Sequence, residues 1–209
     1  MNGPSTPADW RRANGGSDVA SADGRVVYLI SGPCGVGKST VSRELARRLE
    51  RAVLMAGDDL LRMVQGYEAP WEERLSLAWT NIVSLTRNFV HNEWNVVIDF
   101  VVEDELEWFC EQVADLPATL QYVVLRADED ALAARLTQRG DPGLADRSLF
   151  LLRKLEGSEA NRPFLYDATR RQPAEIAEDI LSASHLRLPK RRTGDGGADF
   201  DPMGRSDPR

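Results

Sequence analysis

A chain of 209 residues, 42% of them hydrophobic, carries enough apolar surface for one domain with one well-formed core, and no apolar run in it approaches the ~20 residues of a membrane span. Its formal net charge of −7 disfavours a polynucleotide, whose phosphate backbone an acidic surface repels, and leaves a small molecule as the preferred ligand. No basic N-terminal region precedes an apolar stretch, so no secretion signal is expected, and Cys34 and Cys110 read as reduced thiols of a cytoplasmic protein.

Residues 1–24 are rich in Gly, Ser, Ala, Asp and Asn, bury too little surface to offset chain entropy, and are expected to form a disordered tail. Arg25-Val26-Val27-Tyr28-Leu29-Ile30 follows, a short β-branched run expected for a buried parallel strand. Next comes Gly32-Pro33-Cys34-Gly35-Val36-Gly37-Lys38-Ser39-Thr40, a complete G-x-x-x-x-G-K-S loop. Backbone N–H groups in such a concave loop, leading into a helix N-terminus, hold a triphosphate tail. Gly32, Gly35 and Gly37 let the backbone curl and approach the phosphates, where a Cβ would add strain or strike the ligand. Lys38 is placed to bridge the β- and γ-phosphates and Ser39 to complete the oxygen shell of Mg²⁺, so ATP and Mg²⁺ are the expected cofactors. Cys34, at a variable position, reads as a small filler. Val41, Leu45, Ala46 and Leu49 then recur at helical spacing, so the loop sits between a strand and an amphipathic helix as a phosphate loop should.

A second strand is expected at 52–55, followed by Gly57-Asp58-Asp59-Leu60. A carboxylate here lies beside the phosphate loop, where Asp58 can accept the proton of a substrate hydroxyl attacking the γ-phosphate. The competing reading makes both aspartates a turn and helix cap, and it is preferred for Asp59. Residues 59–95 are expected to cover the acceptor, with a helix over 71–93 carrying Leu75, Leu77, Trp79, Ile82 and Leu85. Any of Trp71, Trp79 and Trp94 can stack on a planar or sugar-like ligand, but aromatics at helical spacing are usually core, and His91 reads as a surface residue. A third strand at 96–100 contains Val96-Val97-Ile98-Asp99, the form of an acid that holds Mg²⁺ through water; Asp99 also fits a substrate contact.

A helix over 103–114 and a strand over 120–125 precede a helix over 128–138. Arg135 and Arg139 are four apart, so they share a face, and Gly140-Asp141-Pro142-Gly143 then breaks the helix before Arg147. This stretch, 135–150, reads as a lid that excludes water and brings guanidinium groups to the transferred phosphoryl, or else as a solvated basic face with a surface turn. A helix over 148–160, a short strand over 164–167 and a helix over 173–182 complete a folded unit of 25–188, and 189–209 repeats the composition of the first tail. Strands alternating with helices after a phosphate loop imply an α/β fold of three layers, a central parallel five-stranded sheet with helices on both faces, its ligands at the carboxyl ends of the strands. No Cys/His cluster suggests a zinc site.

The phosphate loop, Gly57-Asp58-Asp59-Leu60 and Arg135-x-x-x-Arg139-Gly140-Asp141-Pro142-Gly143-Leu144-Ala145 together resemble the small P-loop kinases of the shikimate, gluconate and adenylylsulfate kinase group. The last stretch is most similar to chloramphenicol phosphotransferases, which usually carry another arginine where Pro142 stands. The resemblance spans about 25–183 and implies the P-loop NTPase fold, a hydroxyl-bearing small-molecule acceptor, Asp58 as the base and Arg135 and Arg139 as lid arginines, with Arg147 a further nucleotide contact. It implies an ATP-dependent kinase acting on an antibiotic or sugar-like metabolite; a monomer or homodimer is expected. Two alternatives stand beside it. A nucleoside or nucleoside-monophosphate kinase would use Arg62, Arg74 or Arg87 on the acceptor side. A regulatory P-loop ATPase switch would transfer nothing to a small acceptor, and the chain is short for an AAA-type module. No Asn-Lys-x-Asp motif specifies guanine, which favours ATP over GTP.

Overall fold

In the computed structural model, residues 24–65 and 69–189 are described. The two expected tails, except for Gly24 and Pro189, lie outside the described residues, as do Gly66, Tyr67 and Glu68 of the acceptor-covering segment. Five strands form one sheet: β1 (Arg25–Ser31), β2 (Ala52–Ala56), β3 (Asn95–Asp99), β4 (Ala118–Arg126) and β5 (Leu165–Asp167). The order is β2-β3-β1-β4-β5 and every pairing is parallel. Among the described residues seven α-helices accompany it: α1 (Lys38–Arg48), α2 (Gly57–Met63), α3 (Trp71–His91), α4 (Leu106–Gln112), α5 (Glu129–Arg139), α6 (Ala145–Gly157) and α7 (Pro173–Ser182).

Both faces of the sheet are covered, which is why β1 reads as an unbroken apolar run. Val27 and Leu29 point to one core with Trp79, Ile82, Phe100 and Phe109, whereas Tyr28 and Ile30 point to the other with Val41, Leu45, Leu132 and Ile176. The alternation follows the period of two in a strand. The three-layer α/β fold expected from the element pattern is the fold observed.

Several boundaries differ from the sequence reading, each for a local reason. The stretch after β2, where the competing reading placed a turn and helix cap, is the short helix α2, which follows β2 without a loop, with Gly57 packed under the ring of Phe100. The helix expected over 103–114 shrinks to α4, since the Glu105 carboxylate accepts the backbone N–H groups of Glu103 and Asp104 and holds them in a turn. The helix expected over 148–160 begins three residues earlier, because a 3₁₀ turn at Pro142–Leu144 feeds α6 directly.

Candidate active site

The site is assembled at the carboxyl edge of the sheet. Parallel register pairs Ile30 with Asp99 and Asp99 with Ala56, so Asp99 ends its strand between the phosphate loop and the first turn of α2. Gly32, Gly35 and Gly37 all have positive φ, at 138°, 76° and 109°. A Cβ on Gly32 would lie 2.4 Å from the Leu125 carbonyl oxygen and one on Gly35 2.8 Å from Leu136 Cγ, so two of the three glycines are required by the protein's own packing. Gly37 meets nothing and serves its conformation alone, as the left-handed N-cap of α1. No side chain caps α1, which leaves its first amides available. Lys38 Nζ donates to the carbonyls of Gly32 at 2.9 Å and Pro33 at 3.1 Å, folded back along the loop.

A cleft of about 620 Å³ opens in front of these residues. Cys34, Gly35, Val36, Gly37, Lys38, Ser39 and Thr40 line it, together with Asp58, Asp99 and Arg62 from the β2 side and with Arg135, Arg139 and Leu144. Asp58 is an exposed residue in the first turn of α2, whose N-cap Ala56 makes no side-chain cap. Neither aspartate therefore caps the helix: Asp58 faces the cleft, and Asp59 pairs with Arg62 at 2.6 Å. Asp99 is buried, and burial pushes its carboxyl above the usual range, against the opposing pull of the Lys38 ammonium and a hydrogen bond from Ser39, with the Asp58 carboxylate adding to the rise. Ser39 and Asp99 thus present two oxygen donors to one point, a set that suits Mg²⁺.

The three expected guanidinium groups part company. Arg135 lines the cleft, but its donors are committed to backbone: Nη1 to the Val36 carbonyl at 3.0 Å, and Nη2 to the carbonyls of Ala168 at 3.0 Å and Thr169 at 2.8 Å. Arg139 lies at the cleft mouth and pairs with Asp141 at 2.6 Å, just before Gly140 stops α5 in a left-handed turn. Arg147, expected on the nucleotide, is not among the cleft-lining residues; it pairs with Glu103 and lies over the ring of Phe150. The reason is the early start of α6, which turns position 147 toward the loop after β3. Lys154, two turns on, reinforces this by pairing with Asp104 at 2.6 Å and Glu103 at 3.2 Å.

None of the three tryptophans is among the cleft-lining residues. Trp79 is 2% exposed and packs on Phe100 and Phe109, Trp94 lies under the Arg51 guanidinium, and Trp71 is exposed outside the cleft. Of the arginines reserved for a phosphate-bearing acceptor, only Arg62 lines the cleft; Arg87 is held by both carboxylate oxygens of Asp115, and Arg74 points to the Leu61 carbonyl. Sequence reasoning missed Thr169, Arg170, Arg171, Gln172 and Pro173, which form the far wall. They follow β5, so the rule that ligands sit beyond strand ends would have found them had it been carried to the last strand. Among the described residues no helix is long and apolar enough to cross a membrane, and no group of three or more His, Cys, Asp or Glu side chains gathers to bind a metal.

A family model described as AAA domain (AAA_33) matches residues 27–165, from within β1 to the first residue of β5. Among curated proteins none matches the sequence. Solved structures do match in fold. The tunicamycin resistance protein of Deinococcus radiodurans superimposes with a TM-score of 0.60 at 15% identity, over 76% of this chain and 94% of that one. A sugar kinase from Janibacter sp. HTCC2649 gives 0.54 at 14% identity, over 76% and 93% of the two chains. A gluconokinase from Sinorhizobium meliloti 1021 gives 0.52 at 21%, over 76% and 90%. The family match spans the phosphate loop, both acids and the arginine-bearing helix, and the chain therefore belongs to the AAA_33 (AAA domain) family, on a fold shared with these proteins.

Proposed function

We propose that the protein transfers the γ-phosphoryl group of ATP to a hydroxyl of a small molecule, with antibiotics and sugar-like metabolites as the acceptor class. The observation that supports this best is the convergence of Lys38, Asp58 and Asp99, from the ends of β1, β2 and β3, on one cleft. Loop amides and the N-terminus of α1 hold the phosphates, and the Lys38 ammonium turns from the Gly32 and Pro33 carbonyls to the β- and γ-oxygens. Ser39 and Asp99 would hold Mg²⁺, which supplies neutralisation of charge across the β- and γ-phosphates. Asp58 takes the acceptor hydroxyl proton while the hydroxyl oxygen bonds to the γ-phosphorus; the bond to the ADP oxygen breaks and ADP leaves with that electron pair. Since the γ-phosphate must face Asp58 and Asp99, the rest of the nucleotide extends toward the wall after β5.

Arg139 is the lid guanidinium assigned to the transferring phosphoryl, because its exposed pairing with Asp141 is easily exchanged. Arg135 would have to surrender three carbonyls to do the same. Arg87 is held by Asp115, but Arg62 lines the cleft in an exposed pair with Asp59, so a nucleoside monophosphate stands as the second acceptor reading. We assign the protein to the cytoplasm, as a monomer or homodimer acting without nucleic acid or membrane. The test is incubation with Mg-ATP and a panel of hydroxylated antibiotics and metabolites, read as acceptor mass gain of one phosphate. Asp58→Asn should lower transfer by about 10²–10⁴-fold with ADP binding retained. A regulatory ATPase would show ADP formation that no panel member accelerates, and unchanged transfer by Asp58→Asn would remove Asp58 as the base.

A further inference from the structure

A peptide unit is planar and trans, so its carbonyl and the next residue's N–H point in opposite directions. Wherever a carbonyl of the phosphate loop is held outward, the following amide is aimed into the cleft. Two such units precede glycines: Cys34–Gly35 and Val36–Gly37. Glycine tolerates both signs of φ, which makes rotation of these planes cheap and leaves the amide direction weakly specified by the loop itself. Both carbonyls are taken by side chains from the opposite half of the chain. The Ser148 hydroxyl, on α6, donates to the Cys34 carbonyl at 2.7 Å across 114 positions of sequence, and Arg135 Nη1 donates to the Val36 carbonyl at 3.0 Å across 99. Ser148 is 0% exposed, so water does not compete for that contact.

We propose that Ser148 and Arg135 are positioning residues that lock the Cys34–Gly35 and Val36–Gly37 peptides with their amides turned toward the nucleotide's β-phosphate. The inference rests on the nucleotide reading above but not on the identity of the acceptor. Each clasp also has an anchor beyond the loop. Arg135 reaches the carbonyls of Ala168 and Thr169 on the far wall, and α6 is tied to the loop after β3 through Arg147 and Lys154. The phosphate loop is thus held from both sides of the cleft, by residues outside its motif.

The test is displacement of a fluorescent ADP analogue by ADP and by AMP, which lacks the β-phosphate. Ser148→Ala is expected to weaken ADP about five- to tenfold and AMP less than about twofold, the loss equivalent to one hydrogen bond. Ser148→Thr, which keeps the hydroxyl, should recover most of the ADP affinity. Arg135→Lys, at a half-buried position, should reduce the same ADP to AMP ratio, because a single ammonium cannot span Val36 and the far wall; this second variant decides the matter if Ser148→Ala fails to fold. Equal losses for ADP and AMP, or an ADP affinity unchanged in both variants, would overturn the proposal. Wild-type protein that binds neither nucleotide would overturn the nucleotide reading itself and this inference with it.

Discussion

Gly57 has no room for a side chain: a Cβ there would sit 2.2 Å from Phe100 Cγ, and Phe100 is itself packed 5.1 Å from Trp79. Gly57→Ala is therefore expected to cost about 1–3 kcal/mol by overpacking, read as a lower urea midpoint; an unchanged midpoint would mean that the Phe100 ring gives way freely. Asp99 illustrates the opposite tension, its proposed role being maintained against stability. Its carboxyl is raised by burial, so the ionised form costs stability at neutral pH, and that cost disappears as pH falls through the raised value toward the ~3.9 of the unfolded chain. Asp99→Asn should melt higher than wild type at pH 7 without nucleotide, lose that advantage toward pH 4, and transfer phosphate more slowly. A variant that melts lower at pH 7 would contradict the desolvation argument. Asp58 and Asp99 were legible from the sequence because each follows a strand that its apolar run announces. Gly57 was not, since its constraint is an aromatic ring from the end of a different strand.

At the level of elements, the strands were the most readable, because β1, β3 and β4 are apolar on both faces of a covered sheet. Helix ends were less so. Glu105 captures two backbone amides and delays α4, a competition between side chain and backbone that no periodicity records. How α3 is anchored was also hidden: Arg87, on α3, grips both oxygens of Asp115 beyond α4, and this pairing brings the Asp115 carboxyl down to about 2. A lowered acid pKa gives stability that is present above the unfolded value of ~3.9 and is lost as pH falls to about 2. The difference in melting temperature between wild type and Arg87→Ala should accordingly stay constant from pH 7 to pH 5 and close between about pH 4 and pH 2. A gap that persists at pH 2 would trace the effect to the lost hydrogen bond to the Gln112 carbonyl and lost packing of the arginine stem.

Across the whole molecule, the β1-to-β2 connection runs toward one edge of the sheet and the β3-to-β4 connection crosses β1 toward the other, so the crevice at the carboxyl ends of β1 and β3 is the switch point where the candidate site lies. A ligand held there contacts both halves of the chain and stabilises the folded state by mass action. Mg-ADP at 100 times its dissociation constant is expected to add about 2.7 kcal/mol, a rise in melting temperature that Lys38→Ala should largely remove. No shift with any Mg-nucleotide would withdraw the roles proposed for Lys38, Ser39, Asp58 and Asp99 together.

The phosphate loop, the alternation of strand and helix and the acids behind β2 and β3 were readable in one dimension, because each depends on residues within a few positions of one another. Which arginine reaches which group was not. Arg135 turned out to be bound to backbone, Arg147 to Glu103, and a wall after β5 supplied residues with no motif. Those outcomes depend on contacts that join positions far apart in sequence, such as Ser148 with Cys34, and a long polar side chain takes whichever partner the packed helices bring within hydrogen-bond reach.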